Sequence, residues 1–434
     1  MRRYAVVGTG GRSGMYIDAI TEEFTSDCEL VALCDRNIGR ARLYQQQVKD
    51  ATGVEVPVYT DEQFDSMLAE QKPDRIVVTT GPDRTHSEYI TRAMRAGCDV
   101  ITEKPMTMSA DRAKEILETR AETGRELQVT FNYRYSPPRS QVRRMIAEGR
   151  IGEVLSVDFS WHLDTRHGAD YFRRWHRKRE NSGSLLVHKS THHFDLVNWW
   201  IDDVPEEVYA HGSLRYYTPE RARELGLADH GERCADCPVA AKCPFFLDMA
   251  DNEKLKAMYL DQEEHDGYQR DRCVFSDEID IWDTMSVTVK YRRGAIMSYL
   301  LHAYSPVEGY RVAFNGTAGR IEHFASENTY INGDGTTPGE LEPGALGIIW
   351  APEFSKPQVV EPDTGTGGHG GGDPVLLRDI FRPGGEGDPL RRRANQIDGT
   401  YSILIGIAAS MSIDRHEPVL IADLLGDAPL GERW

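Results

Sequence analysis

The sequence predicts an α/β protein of two domains, in which a doubly wound parallel sheet (residues 1–130) precedes an α+β domain with a mostly antiparallel sheet (131–434). Three observations support this prediction. Short apolar runs alternate with amphipathic segments up to residue 130, as in parallel sheets covered by helices on both faces. After Gly152 the strand-like stretches become longer, with β-branched and aromatic alternation and few crossover helices. A chain of 434 residues also exceeds the size of one typical core.

The elements of the first domain follow from hydrophobic periodicity. Apolar runs predict strands at 3–8, 29–35, 74–80, 98–102 and 127–131. Amphipathic patterns predict helices at 15–24, 37–50, 61–70, 84–96 and 109–122. Because ligands of such sheets lie at the carboxyl ends of the strands, the segments 80–86, 103–105 and 132–135 are expected to face one crevice.

The second domain is predicted to contain strands at 154–161, 284–291, 295–303 and 311–315. A polar, Cys-rich insertion spans 203–280, and a Gly-rich loop at 363–376 is interpreted as a lid or linker. A last helix at 389–413 is expected to pack back on the first domain, ahead of a strand at 418–421.

The first strand ends in glycines and leads into a helix, which is the arrangement that holds a pyrophosphate at a helix N-terminus. Gly8 and Gly10 fill the first two positions of G-x-G-x-x-G, and Ser13 replaces the third glycine. The turn therefore predicts a dinucleotide site that includes Gly11 and Arg12.

Asp35 ends the second strand, where a carboxylate accepts from the ribose hydroxyls of NAD and repels a 2′-phosphate. Arg36 and Arg40 leave the alternative open, because guanidinium groups there can accommodate a phosphate or stack on adenine. NAD is the predicted cofactor.

Composition excludes several classes of protein. The formal net charge of −18 disfavours binding to nucleic acid or to anionic membranes. No run of 18 apolar residues occurs, and the N-terminus enters a strand without a signal-peptide pattern, so a cytoplasmic location is expected.

Several motifs together resemble the Gfo/Idh/MocA family of nicotinamide-dependent oxidoreductases, which act mainly on sugars, inositols and related polyols. They are the glycine turn, Thr80-Gly-Pro-x-x-x-His86, Glu103-Lys-Pro105, Asn132-Tyr-Arg-Tyr135 and the block from Ser182 to Asp195. The resemblance implies an N-terminal Rossmann domain, a C-terminal domain with an open sheet, and a homo-oligomer (dimer or tetramer). It also implies cofactor contacts, which with the glycine turn and Asp35 give the set Gly8, Gly10, Gly11, Arg12, Ser13, Asp35, Arg36, Arg40, Thr80, Pro82, His86, Glu103, Lys104, Asn132 and Arg134.

The same resemblance assigns Lys104 to the nicotinamide ribose and substrate, and His192 to the general base. Oxidation of an alcohol requires such a base, and histidine titrates near neutrality. The family's acid partner four residues before this histidine is replaced by His188, so His188 is a further catalytic candidate. Asp195, one helical turn after His192, has the spacing to orient an imidazole, and His193 is a competing ring. The assignment of acid and base stays open among Lys104, His188, Lys189, His192 and His193.

A basic, aromatic-rich segment at 162–179 suits either sugar stacking with anion recognition or a solvated loop. The predicted substrate-binding residues are Tyr135, His162, Arg174, Trp175, His176, Lys189 and His193. A uronate or sulfonate group on the substrate would account for the cations.

Four cysteines in the insertion have the spacing C-x2-C-x5-C-x29-C, which predicts a structural zinc site, with an iron–sulfur cluster as the rival interpretation. The residues are Cys234, Cys237, Cys243 and Cys273.

The predicted function is NAD-dependent oxidation of a carbohydrate or polyol. An alternative within the resemblance is an NAD-dependent glycosidase, in which transient oxidation at C3 permits elimination, and hydration and reduction complete the cycle. A non-catalytic nucleotide-binding scaffold is a third hypothesis, disfavoured by the presence of Lys104 and His192.

Overall fold

The computed structural model describes residues 1–328, 341–382 and 387–431. The N-terminal sheet has the strand order β15-β6-β5-β4-β1-β2-β3, with β15 (Ala394–Asn395) at one edge, and its first six strands in sequence are all parallel. These strands are β1 (Arg2–Val7), β2 (Cys28–Cys34), β3 (Val58–Tyr59), β4 (Arg75–Val78), β5 (Asp99–Thr102) and β6 (Leu127–Val129). The doubly wound sheet predicted from the alternating pattern is therefore confirmed.

The helices of this domain cover both faces of the sheet, on two separate clusters of buried apolar residues. They are α1 (Gly14–Asp18), α2 (Ile38–Thr52), α3 (Phe64–Gln71), α4 (His86–Arg95) and α5 (Ala110–Thr123). The first predicted helix, 15–24, is divided: a 3-10 turn precedes α1 and a π turn (Ala19–Glu23) follows it. The sequence did not predict β3, since two residues are too few for a visible apolar run.

The second sheet has nine strands in the order β14-β13-β12-β11-β7-β10-β9-β8-β16. Only β7 and β10 pair in parallel among these neighbours, so the predicted mostly antiparallel sheet is confirmed. The strands are β7 (Val154–Asp164), β8 (Pro205–Ser213), β9 (Thr284–Tyr291), β10 (Ile296–Ser305), β11 (Glu308–Gly316), β12 (Gly319–Glu327), β13 (Leu341–Pro352), β14 (Gln358–Val360) and β16 (Val419–Leu420).

One boundary of the Cys-rich insertion needs correction. The insertion was expected to begin at residue 203, but β8 pairs with β9 and belongs to the sheet. The insertion therefore occupies residues 214–283, between β8 and β9. Alternating burial in β8 was obscured in the sequence by its charged, solvent-facing residues.

Helices cover one face of the second sheet. The helices before β14 are α6 (Pro137–Ala147), α7 (Thr165–Arg173), α8 (Arg179–Ser182), α9 (Leu185–His188), α10 (Ser190–Trp200), α11 (Pro219–Glu224), α12 (Glu253–Met258) and α13 (Glu263–Asp266). Every residue of α10 is buried, which places its histidines in the interior of the protein.

The Gly-rich segment forms the start of a helix. It begins α14 (Gly368–Phe381), whose residues His369, Gly370 and Gly371 have left-handed backbone angles. A Cβ on Gly372 would lie 2.3 Å from the carbonyl oxygen of Asn132, so close packing requires glycine there. The predicted lid or linker is therefore a packed turn against the end of the first domain.

The chain returns to the first domain near its C-terminus. Strand β15 (Ala394–Asn395) pairs with β6, and Asn395 caps the long helix α15 (Gln396–Arg415). The predicted helix 389–413 thus begins seven residues too early, at a proline and three arginines that lie outside the helix. The last helix is α16 (Ile421–Leu425). Among the described residues, no helix has the length and apolar character to cross a membrane.

Candidate functional site

A crevice of about 760 Å³ lies at the carboxyl edge of the parallel sheet, between the two domains. This volume is within the usual range of small-molecule and cofactor sites, roughly 300–1,000 Å³. Its walls come from the glycine turn, the ends of β2, β4 and β5, the helices α7 to α10, and the Cys-rich insertion.

The glycine turn forms the floor of the crevice. Gly8 has φ +90°, and a Cβ there would lie 2.5 Å from the backbone of Thr80. Gly10 is different, because a Cβ there would meet nothing within 4 Å. Ser13 donates to the carbonyl of Gly10 at 2.7 Å and shapes the turn from within. Backbone open to the cavity at such a turn is what a pyrophosphate requires, so these residues fit a dinucleotide.

Asp35 lies at the end of β2 and is buried. Its carboxylate accepts two hydrogen bonds from Thr9, one from the backbone N–H and one from the hydroxyl at 2.9 Å. It accepts a third from the backbone N–H of Asn37 at 2.6 Å. Arg40 lies 3.5 Å from the same carboxylate. This geometry holds the carboxylate rigidly at the adenosine end of the crevice.

Glu103 and Lys104 follow β5. Glu103 accepts from Arg12 Nε at 2.8 Å and from the hydroxyl of Tyr16 at 2.6 Å. Burial acts to raise the pKa of Glu103, but Arg12 and Tyr16 outweigh it and leave the pKa lowered. Burial lowers the pKa of Lys104, against the opposing effect of Asp83 and Glu103.

Asp83 and His188 form a buried pair across the two domains. Asp83 Oδ2 is 2.5 Å from His188 Nδ1, and His188 Nε2 is 3.4 Å from Lys104 Nζ. Burial raises the pKa of Asp83 and lowers that of His188. Desolvation therefore acts against the ionised forms of both side chains, the carboxylate and the imidazolium. The loop after β4 thus supplies a carboxylate partner for His188.

A second group of titratable side chains lies at the start of α10. Lys189 Nζ donates to the hydroxyl of Tyr133 at 3.1 Å, and burial lowers the pKa of Lys189 to about 7. The Tyr133 ring stacks on His192 with 4.2 Å between centroids. His192 Nδ1 is buried without a hydrogen-bond partner among the described residues. Lys189 and His192 both line the crevice.

His369 extends this second group from α14. Its Nδ1 lies 2.8 Å from Asp373, whose carboxylate also accepts from Asn132 Nδ2 at 2.7 Å. Arg12 lies 3.3 Å from Asp373, and these charged partners lower the pKa of Asp373 although burial opposes the shift. The predicted lid residue His369 is therefore fixed in the wall of the crevice.

Most of the predicted cofactor and catalytic residues are brought together. Those that line the crevice are Gly8, Gly10, Gly11, Arg12, Asp35, Arg36, Arg40, Thr80, Pro82, His86, Glu103, Lys104, Asn132, His188 and His192. Of the predicted substrate residues, Arg174, Trp175, His176 and Lys189 also line it.

Arg134 is not brought to the crevice. It was predicted to bind cofactor, but its guanidinium is fully buried between Asp195 and Asp398, with Nε 2.8 Å from Asp195. Asp195 is consequently engaged by Arg134 and does not orient His192, as the i,i+3 spacing had suggested. A buried arginine requires such carboxylates because its charge cannot be left unpaired.

Four other predicted residues lie away from the crevice lining. Tyr135 donates to Asp379 at 2.8 Å, and His162 lies 3.1 Å from His302 on neighbouring strands. His193 Nδ1 is 2.6 Å from the hydroxyl of Tyr299 in the core, and Ser13 is buried beneath the turn. The side chain of each is engaged by a neighbouring residue outside the crevice lining or within the turn.

The structural zinc prediction finds no support. All seven cysteines are free, and within residues 1–328, 341–382 and 387–431 no group of three or more His, Cys, Asp or Glu residues is arranged to hold a metal ion. Ion pairs connect the insertion internally, as between Arg233 and both Glu263 and Asp271.

Sequence reasoning missed several crevice residues. Asp83 lies in the segment 80–86 that was expected to face the crevice, but nothing in the sequence singled it out as a partner of His188. Tyr259, Asp266 and Tyr268 come from the insertion, whose contact with the first domain has no signature in the sequence. His167 and Tyr171, which lie on α7, could have been found from the basic, aromatic-rich segment that contains them.

Comparison with family models identifies both domains. Residues 2–131 match the model described as "Oxidoreductase family, NAD-binding Rossmann fold" of GFO_IDH_MocA. Residues 143–419 match the model of the same family described as "Oxidoreductase family, C-terminal alpha/beta domain".

Individual proteins agree with this match. The chain is 38% identical to the "Putative oxidoreductase YteT" of Bacillus subtilis (strain 168), over 98% of this chain and 99% of that protein. It is 31% identical to an inositol 2-dehydrogenase of Rubrobacter xylanophilus over 48% of this chain and 54% of that protein. Among solved structures, an aldose-aldose oxidoreductase from Caulobacter crescentus superposes with a TM-score of 0.62 at 16% identity, covering 96% of this chain and 99% of that one, which shows a common fold.

The buried histidines predict acid sensitivity. Burial lowers the pKa values of His86, His167, His176, His188, His192, His193 and His323. Below the ordinary histidine pKa of about 6.5 the unfolded chain binds more protons than the folded one, so stability falls as pH falls, by up to about 1.4 kcal/mol per pH unit for each group. Chemical denaturation from pH 7.5 to about pH 5 will measure this slope. His323→Gln should flatten it and exposed His211→Gln should not; equal slopes in all three proteins would contradict the prediction.

The glycine turn gives a second prediction. Gly8→Ala is expected to reduce affinity for a nicotinamide dinucleotide by at least about 100-fold, since the added Cβ displaces the backbone at the phosphate site. Gly97→Ala is the matched control, because Gly97 has nearly the same φ, +91°, with nothing within 4 Å of an added Cβ. Titration calorimetry measures the affinity. Similar losses in both variants would mean that backbone strain alone is responsible.

Proposed function

This chain belongs to the Gfo/Idh/MocA family of oxidoreductases, and we propose that it transfers a hydride between a carbohydrate or polyol and NAD bound in the crevice. The observation that carries the proposal is the Asp83–His188–Lys104 arrangement at the crevice wall, with 2.5 Å between Asp83 and His188 and 3.4 Å between His188 and Lys104. Similarity to an inositol dehydrogenase supports a polyhydroxylated substrate.

The cofactor would be held by the glycine turn and Asp35 at its adenosine end, and by Lys104 and Asn132 further along the crevice. When bound, NAD supplies the hydride acceptor. NAD is favoured over NADP because Asp35 is buried and fixed by three donors, so that a phosphate on the ribose would face its carboxylate.

His188 is proposed to accept the hydroxyl proton of the substrate at Nε2. Asp83 holds the ring through Nδ1, as the carboxylate of a catalytic dyad orients its imidazole. The Lys104 ammonium lies beside that imidazole and would stabilise negative charge developing on the substrate oxygen. The proposed general base is thus His188, and His192 is assigned to the second group with Tyr133, Lys189 and His369.

Trp175 and His176 complete the proposed substrate wall. Their rings stack with 3.6 Å between centroids, and the Trp175 indole lies over Gly81. Stacked rings of this kind bind the apolar faces of sugar rings. Arg174 is held by Asp170 at 3.0 Å and by the hydroxyl of Tyr268 at 3.2 Å. Asp170 also pairs with Arg270 at 2.5 Å, so two guanidinium groups share one carboxylate at this wall.

Removing the proposed base or its carboxylate partner should slow catalysis without weakening dinucleotide binding. His188→Gln and Asp83→Asn should each lower kcat by about 10²- to 10⁴-fold, the usual contribution of general acid–base catalysis, with dinucleotide affinity unchanged. His162→Gln, whose ring lies outside the crevice lining, is the control. Reduced nicotinamide would be followed by absorbance across free sugars, polyols and uronates. Full activity in His188→Gln would exclude this base.

A second candidate function is a redox-neutral glycosidase. It is favoured by the second group of Tyr133, Lys189, His192 and His369, since elimination at a sugar needs acid–base groups beyond those used for oxidation. Aryl glycosides distinguish the two functions. A dehydrogenase forms one reduced nicotinamide per substrate oxidised, whereas the glycosidase releases phenol without net reduction of NAD. Lys189→Met should abolish phenol release and retain dinucleotide binding.

Oligomerisation through the second sheet is also proposed. Residues of β9 and β10 alternate between buried and exposed, and Ile296 and Leu300 are 50% and 40% exposed on the uncovered face. An exposed apolar sheet face is typical of a subunit interface. This arrangement suits the expected dimer or tetramer.

A further inference from the structure

The Cys-rich insertion crosses from the second domain to the adenosine end of the crevice. Its residues 259–268 contact the glycine turn and the start of α2 directly. The Gly11 N–H donates to the hydroxyl of Tyr259 at 3.1 Å, and Asn37 Nδ2 donates to the carbonyl of Gln262 at 2.8 Å. A Cβ on Gly39 would lie 1.8 Å from the Gln262 side chain, so this approach depends on glycine. The insertion is therefore part of the cofactor crevice.

Asp266 brings a second carboxylate to the ribose end. Its Oδ2 lies 2.6 Å from Arg40, and its Oδ1 accepts from the backbone N–H of Tyr268 at 3.1 Å. The side chain is only 2% exposed. Arg40 thus lies between Asp266 and Asp35, the latter at 3.5 Å, and the three side chains sum to a charge of −1.

This arrangement bears directly on the choice between the two nicotinamide dinucleotides. They differ by a phosphate on the adenine ribose, and a phosphate monoester carries between one and two negative charges near neutral pH. A guanidinium such as Arg40 is the group that would recognise it. Here Arg40 is engaged by two carboxylates in a buried setting, where charges are weakly screened.

We propose that Asp266 is a specificity-determining residue, which holds Arg40 and adds negative charge so that the site accepts the free ribose hydroxyl of NAD and rejects NADP. The proposal rests on the proposed function in one respect, the binding of a nicotinamide dinucleotide in this crevice. If Asp35 were its only partner, the Arg40 guanidinium would remain partly available to bind a phosphate on the ribose. Asp266 of the insertion engages the guanidinium as well. Arg36, Asp61 and Glu62 also line the cavity, and two of these three side chains are acidic.

The test is titration calorimetry of NAD⁺ and NADP⁺ on the full chain, without substrate. The unaltered protein is expected to bind NAD⁺ at least tenfold more tightly than NADP⁺. Asp266→Asn keeps the shape of the side chain and its contact with Tyr268, and should reduce that ratio by tenfold or more through tighter NADP⁺ binding. Asp266→Ser is the second variant, and thermal unfolding of each protein verifies that it is folded.

Two further variants test whether the effect is particular to Asp266 and whether it acts through Arg40. Asp261→Asn removes a carboxylate of the same insertion that is 45% exposed and paired with Lys256, and it should leave the ratio unchanged. Arg40→Ala combined with Asp266→Asn should abolish the gain in NADP⁺ affinity, because the freed guanidinium is the proposed ligand of the phosphate.

The outcomes separate the two proposals. Unchanged discrimination in folded Asp266→Asn and Asp266→Ser, or tighter binding of NADP⁺ than NAD⁺ by the unaltered protein, would overturn the role of Asp266 and leave the proposed oxidoreductase function intact. Failure of the unaltered protein to bind either dinucleotide would overturn both.

Discussion

The crevice depends on one buried carboxylate, Glu103, and on the charges that compensate it. Glu103 accepts from Tyr16 and Arg12, and the guanidinium of Arg12 continues to Asp373 on α14. This chain of contacts joins the end of β5, the glycine turn and the C-terminal domain. Because a buried ion loses its hydration, removing one partner would leave an uncompensated charge, so the members hold one another in position. Lys104 is adjacent in sequence to Glu103 and is positioned by the same network.

The same crevice concentrates histidine and lysine side chains whose pKa values are lowered by burial. His176, His188 and His192 all have lowered pKa values because they are desolvated and face Lys104 or other cations. Such groups reduce the stability of the fold, since unfolding would let them take up protons in water. Clusters of perturbed titratable residues are characteristic of sites that move protons. The location of this cluster at the crevice agrees with that interpretation.

The Cys-rich insertion illustrates how a local pattern leaves the tertiary contacts of a segment unpredicted. Its cysteine spacing suggested a metal, while its charged residues form the contacts that define its position. Arg270 binds Asp170 of α7 at 2.5 Å, and Arg233 binds Glu263 and Asp271. These pairs orient residues 259–268 toward the first domain, where Asp266 meets Arg40. The insertion, a polar segment without its own core, thus forms part of the crevice wall.

The sequence by itself determined the parallel sheet, the glycine turn, Asp35 and the position of Lys104 after β5, because these features are encoded by periodicity and by residues adjacent in the chain. Only the tertiary structure determined which charged and titratable side chains pair with one another. His188 and Asp83 are 105 residues apart, and Arg40 and Asp266 are 226 apart. Arg134 shows the converse, since its position in a motif suggested a ligand contact while packing placed it between two buried carboxylates. The pairing of a buried charge is set by the three-dimensional path of the whole chain, which no local pattern contains.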